Sequence, residues 1–363
     1  MIDFRIQRPA FLALAAAALF GASTPFAKLL LGDVTPAMLA ALLYLGSGLG
    51  LSLARLAGTV LPWSSSGGEK EADNPPSPIA AAQWVWLAAA IACGGVCAPL
   101  LLLWGLQRSS ATGAALLLNA ESVLTTLLAA AIFGEQVGRR VWLASAVMLA
   151  AGLALAWSPG AALAWPPGAL AVLGACLFWA LDNNFTRRIS GGDAMAIAML
   201  KGYAAGGVNL VIALAAGSSF PAANHLFEAL LLGAFAYGAS LVLYVRALRH
   251  LGSARTGAHF AVAPFAGAAI ALALGEAPAS MFWPALALML LATWLMLTEH
   301  HGHRHSHEPT AHAHEHMHDE HHRHAHASGD EPADGGPHAH HHVHEAMMHF
   351  HPHLPDLHHR HRH

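Results

Sequence analysis

The chain is 363 residues long, 55% hydrophobic and only 11% charged, whereas an ordinary soluble domain is about 25% charged. That composition excludes a soluble globular enzyme. The formal net charge of −3 says nothing about partners, because 25 of the 28 histidines crowd into His300–His363, and nothing marks a nucleic-acid partner. Cys93, Cys97 and Cys176 all lie in apolar runs, so no disulfide framework is implied.

A helix needs about 20 apolar residues to cross a bilayer. On that criterion the sequence predicts ten spans, at about 10–32, 35–57, 83–104, 111–133, 141–157, 168–187, 194–216, 226–246, 256–275 and 282–298. The first run follows Arg5 and Arg8 as a signal peptide would. Its length, its Pro25 and Lys28, and the similar runs after it make it a retained span. Most connections carry turn chemistry, such as Gly32-Asp33 before Pro36, Pro166-Pro167-Gly168 and Gly191-Gly192-Asp193. Ser64–Pro78 is a longer linker rich in Ser, Gly, Glu and Pro. Pro25 and Pro99 are expected to bend spans one and three, and the glycines of Gly46–Gly50 and Gly202–Gly206 to allow close helix contact.

Orientation follows from Lys and Arg. With the N-terminus inside, Arg5, Arg8, Arg55, Lys70, Arg139, Arg140, Arg187, Arg188, Arg246, Arg249 and Arg255 fall on the inner side, against Arg108 and at most Lys28 outside. An even number of spans then places both termini in the cytoplasm. The expected setting is a multi-pass protein of a bacterial inner membrane, with lipid as its first partner.

Two of the spans echo each other. Gly113–Glu135 carries Asn119, Glu121 and Ser122 at its midpoint and stops at Gly134-Glu135; Thr256–Glu276 starts after a similar small-residue run and stops at Gly275-Glu276. Ala18–Lys28 can be laid over Leu177–Arg187, with Lys28 on Arg187. Five spans per half is an odd number, so the second half is expected upside down relative to the first, an arrangement found in many secondary transporters.

Two five-helix halves, each with a fourth helix ending in Gly-Glu, and a Lys-bearing first helix resemble the EamA-type drug/metabolite transporter (DMT) superfamily. The resemblance covers about residues 10–298, as repeats at 10–157 and 168–298, with a histidine-rich tail at 299–363. It implies an all-α integral membrane fold of ten transmembrane helices in two inverted repeats. It also implies a permease that moves a small metabolite or drug, in the export direction. The proline the family often has after the fourth-helix Glu is Ser122 here but is kept as Pro264, and the second copy is shorter. The tail stretch His344–His363 resembles a subset of bacterial EamA-like permeases with histidine-rich C-termini.

Lys28, Glu121, Asp182 and Lys201 are ionisable residues inside spans, and their charges sum to zero. A charge at bilayer depth normally faces a partner or a water-filled cavity. Two readings stand: a polar cavity where Glu121 or Asp182 titrates and couples protons to substrate, or static ion pairs that lock helices together. Asp182, Asn183 and Asn184 cannot all face lipid, so they either line the pathway or hydrogen-bond between helices. Asn119, Asn209, Thr125 and Thr126 extend the same lining, and His259 is either a proton carrier or a packing residue. Cys93 and Cys97, four apart, read as small buried hydrophobes or as half of a soft-metal site. Glu135 and Glu276 are expected to serve structure at helix ends.

The tail has too few large apolar residues to fold alone and is expected to be disordered. Its His-x-His and His-His spacings offer His301, His303, His305, His307, His312, His314, His316, His318, His340, His342, His344, His351, His353, His358, His359, His361 and His363 as divalent-metal ligands. Affinity order alone does not choose among Zn, Ni, Co and Cu. The alternative is a polyelectrolyte that becomes cationic in mild acid. No cofactor is required, no P-loop is present, and no nucleophile motif supports an enzyme. Three functions follow: a secondary transporter of a small-molecule substrate, a divalent-metal exporter fed by the tail, and a metal buffer anchored by an inert bundle. Buried charges argue against the last.

Overall fold

Hydrocarbon offers no hydrogen-bond partners, so backbone that crosses it must bond to itself. The computed structural model describes residues 4–60, 81–133, 138–156, 166–278, 281–297, 302–307, 310–316, 338–344 and 347–352, and from residue 4 to 297 these are almost wholly helical. α1 (Phe4–Leu30) and α2 (Pro36–Val60) come first, and the third expected span follows as α3 (Trp84–Ala90), a π-helical segment Ile91–Cys97 and α4 (Ala98–Leu106). The fourth is α5 (Ala111–Leu117) and α6 (Ala120–Phe133), broken at Leu118-Asn119; then come α7 (Arg139–Ala156), α8 (Pro167–Ile189) and α9 (Ala194–Ala215). α10 (Ala223–Leu232), a second π-helical segment Gly233–Ala239 and α11 (Ser240–Phe260) lead to α12 (Ala263–Ala273) and α13 (Phe282–Leu297). Gly252, at φ 73° and ψ 174°, divides α11, so its last residues belong with α12 to the ninth expected span.

Among the described residues, eight helices are long and apolar enough to cross a membrane, from Pro9–Leu30 to Arg255–Ala273. The expectation of ten counted two more, now seen as α7 and α13. α7 gives two of its 18 residues to Arg139 and Arg140, and the apolar part of α13 is the short Phe282–Leu295. Glu135 and the Ser64–Pro78 linker lie outside the described residues. Large apolar side chains face outward, among them Phe11 (70% exposed), Leu53 (67%), Val211 (67%) and Phe227 (65%). A soluble monomer rarely exposes so much apolar surface; lipid covers it.

The irregularities come in matched pairs. A π segment then a broken helix occurs in spans three and four, and again in spans eight and nine. In the later copy Pro264 has no N–H to give, so α12 must start afresh there. In the earlier copy, where Ser122 stands in place of proline, side chains do the same work: Asn119 Nδ2 donates to Leu116 O (3.2 Å) and Ser122 Oγ to Asn119 O (2.9 Å). Such local bonds compete with the helical ladder.

The glycine-rich stretches make the close helix contacts expected of them, and they make them with each other. A methyl at Gly202 of α9 would lie 2.6 Å from the Gly48 nitrogen of α2, so only glycine permits this approach. α9 is started by Asp193, whose Oδ1 accepts from Met195 N at 2.9 Å, an N-cap worth about 1 kcal/mol.

The tail forms a separate unit. Within it β1 (Gly302–His307) pairs antiparallel with β4 (Met347–Pro352), and β2 (Thr310–His316) with β3 (His338–His344). The alternating His-x-His pattern has the period of two that suits a strand, and a two-stranded ribbon is marginal alone.

Gly202→Val should wedge α2 from α9 and cost about 1–3 kcal/mol. Gly207→Val, where nothing lies within 4 Å, should be close to neutral. Unfolding of the two variants by SDS in mixed micelles checks the contrast.

Candidate functional site

The site grows out of the three successive polar residues of α8. Asp182 is met by Lys201 from α9, whose Nζ lies 2.5 Å from Oδ1 and 2.8 Å from Oδ2. Thr186, one turn beyond Asp182, donates to Oδ1 at 2.9 Å and accepts from Lys201 Nζ at 3.2 Å. Lys201 is only 1% exposed and Asp182 6%, so each charge depends on the other. Gly94 of the first π segment makes the room, since a Cβ there would fall on Asp182 Oδ2.

Glu121 comes from α6. Its Oε1 accepts from Asn183 Nδ2 at 2.9 Å, and the same amide reaches Thr125 Oγ1 at 3.2 Å. Asn184 Nδ2 holds Thr125 O (3.2 Å) and Ala180 O (2.8 Å), stitching α8 to α6. The expected lining therefore converges in part: Glu121, Asp182, Asn183 and Lys201 border one cavity of about 60 Å³. An adjoining smaller one takes Glu121, Ser122 and Thr125.

The other expected residues sit elsewhere. Lys28 Nζ donates to Leu106 O (2.5 Å) and Ser109 O (2.8 Å), so it caps the end of α4. Asn119 serves its helix break and touches Met289 Sδ at 3.5 Å. His259 Nδ1 lies 2.8 Å from Arg255 O of its own helix. Asn209 Nδ2 donates to Gly95 O at 2.8 Å. None of these four lines the central cavity. Among the described residues no three His, Cys, Asp or Glu gather as a metal site. Cys93 and Cys97 are free thiols. Of the tail histidines, His301, His318, His353, His358, His359, His361 and His363 lie outside the described residues, and the others offered as ligands fall on β1 to β4.

The rest of the cavity wall is aromatic. Phe20 of α1 is the hub, with ring centroids 5.3 Å from Trp179, 5.6 Å from Tyr237 and 5.5 Å from Phe260. Tyr44 stands 5.2 Å from Tyr237, and Tyr244 4.9 Å from Phe260. Sequence reasoning missed this wall, although a signal existed: three of the chain's four tyrosines are in it. The π segment fixes two of these rings. Ala98 N–H bonds Cys93 O instead of Gly94 O, and Pro99 has no N–H, which leaves Gly94 O without a helical donor. Tyr44 Oη (2.5 Å) and Trp179 Nε1 (3.1 Å) take it.

Glu276 shows what a Gly-Glu ending does. Gly275 takes φ 91° after α12, and both Glu276 carboxylate oxygens accept from the start of α5, Ala111 N and Thr112 N, each at 2.7 Å. Ser110 Oγ accepts the next N–H, from Gly113, at 3.0 Å. A carboxylate at a helix N-terminus meets both the free donors and the dipole.

Buried charges around a cavity, inside a bundle whose outer face is made for lipid, define a polytopic membrane transporter. The model of the EamA-like transporter family matches the chain twice, over residues 7–157 and 166–298, and the chain belongs to that family. An uncharacterized transporter of Methanothermobacter thermautotrophicus strain Delta H is 28% identical over 271 residues, covering 72% of this chain and 78% of that protein. A solved crystal structure shares the fold, with a TM-score of 0.60 at 18% identity over 79% of this chain and 94% of the other.

Lys201→Met should cost about 3–5 kcal/mol, because it strands a buried carboxylate. The double variant Asp182→Leu, Lys201→Met should recover most of that loss. Thermal unfolding in detergent, read for both single and double variants, checks it.

Proposed function

We propose that this protein is a secondary active permease of a bacterial inner membrane. It moves a small metabolite or drug outward by alternating access between two oppositely oriented five-helix halves, with both termini in the cytoplasm. The twofold family match and the paired helix distortions support the duplication. Glu121 carries the reading. The site's buried ammonium, Lys201, is held by Asp182, and the donor on Glu121 is the neutral amide of Asn183. A carboxylate in low dielectric needs a proton or a cationic partner. Of the two acids the sequence offered, Glu121 is therefore the one free to titrate: it holds a proton in the empty carrier and releases it as substrate binds. Phe20, Phe260 and Tyr237 close over this position, and rocking of the halves opens it to one side at a time.

In proteoliposomes with a pH gradient, Glu121→Gln should abolish substrate-coupled proton movement while the protein still folds, and Glu121→Asp should retain part of it. Unchanged coupled flux in Glu121→Gln would overturn the assignment.

A second reading makes the protein a divalent-metal exporter (Ni, Co or Zn) whose tail collects ions. The strand register favours ion capture: His303 stands opposite His351, His305 opposite His349, His312 opposite His342, His314 opposite His340 and His316 opposite His338. The cavity does not match this cargo, since its aromatic walls replace little of a divalent ion's hydration. Deleting residues 300–363 should therefore reduce the ions bound per molecule on dialysis against Zn²⁺ but leave cell tolerance to Zn, Ni and Co unchanged. A fall in tolerance would favour metal export.

A further inference from the structure

The chemistry left over at the central cavity selects by charge. We propose that the substrate is a small organic cation, an amine or alkylammonium, whose charged end binds between Glu121 and the surrounding ring faces. This rests on the carrier reading above and narrows it.

Charge comes first. Two carboxylates, Glu121 and Asp182, border the cavity with one ammonium, Lys201. The fourth span charge, Lys28, is bound to carbonyls at the end of α4. At the cavity, therefore, Asp182 is balanced by Lys201, and Glu121 has no fixed cation and is balanced only by the proton it gives up. An ammonium ion can take that proton's place at no change in charge, whereas an anion cannot.

The donors around the cavity tell the same story. Lys201 is held by both oxygens of Asp182. Tyr44 and Trp179 give their hydrogens to Gly94 O. Asn183 gives its amide to Glu121 and Thr125, and Ser240 Oγ donates to Ala16 O at 2.9 Å. An anion, or the carboxylate of a zwitterion, must break one of these bonds to reach Lys201, Tyr44, Trp179, Asn183 or Ser240, which leaves it only the phenol hydroxyls of Tyr237 and Tyr244 among the lining groups. A cation breaks none.

The walls complete the match. Phe20, Tyr44, Trp179, Tyr237, Tyr244 and Phe260 surround the space. The interplanar angles of 86° for Phe20–Trp179, 65° for Tyr44–Tyr237 and 72° for Tyr244–Phe260 show rings meeting by their edges rather than in a stack. Ring faces carry the negative part of the aromatic quadrupole and attract alkylammonium groups. The volume, about 60 Å³, suits an ammonium head and not a drug-sized body.

The test uses the full chain, purified in detergent and in proteoliposomes. The binding probes are methylammonium, tetramethylammonium, choline and glycine betaine, read by calorimetry and by proton release into a weakly buffered solution. Choline and betaine share a trimethylammonium head, and betaine adds a carboxylate. At least one of the three cations should bind and release close to one proton, with betaine at least tenfold weaker. Glu121→Gln should remove the proton release and weaken cation binding at least tenfold. Phe260→Leu should weaken it about fivefold, and Phe260→Tyr should restore it. If no cation binds while a neutral, anionic or zwitterionic solute drives Glu121-dependent flux, the substrate class is overturned and the carrier reading stands. If no solute of any charge moves and Glu121→Gln changes nothing, the carrier reading itself fails.

Discussion

An ammonium group in the middle of a bilayer is tolerated only where something answers its charge, and Lys201 is answered by Asp182 alone among the acids of the site. Much of the architecture serves that contact. Gly94 is bare so that the carboxylate fits, and Thr186 occupies a further lone pair. α8 and α9 both pack on the first π segment, so the pair closes beside it and leaves α6, on another side of α8, with an acid of its own. Pairing in one place thus creates an unpaired acid in another, and that asymmetry gives the cavity its character.

The backbone follows a similar logic. A π segment or helix break releases polar groups that hydrocarbon would punish, and in the first π segment side chains facing inward take them up. Gly94 O is held by Tyr44 and Trp179, and Gly95 O by Asn209. The aromatic wall is therefore a product of irregular backbone. A regular helix through Ile91–Cys97 would have no carbonyl to offer these rings. Distortions of this kind recur at functional sites, and here they lie next to the charged pair.

Length and hydropathy were enough to place most helices, and the polar triplet Asp182-Asn183-Asn184 was legible as protein-facing because lipid offers it nothing. Choosing the partners was not legible. Lys28 and Lys201 look alike as lysines inside apolar runs, yet one caps α4 and the other neutralises Asp182, since the approach of α1 to α4 and the packing of α8 and α9 on the same π segment decide what each can reach. The aromatic wall draws on residues from Phe20 to Phe260, which no local window joins. The helix break near Asn119 was obscured because Ser122 stands where a proline would have announced it. In the tail, the period of two was visible in His-x-His, but the pairing of distant strands was not.

The reach of Glu276 across the bundle sets a limit on how the protein can change shape. Two charge-assisted bonds weld the end of α12 to the beginning of α5, so these helices should travel together as one lever. The breaks at Leu118-Asn119 and Ala261-Val262 then become the natural hinges, close to Glu121 on one side and Phe260 on the other. Motion of that lever would bend the chain beside the acid itself, so the proposed cargo site and the joints of the lever are neighbours.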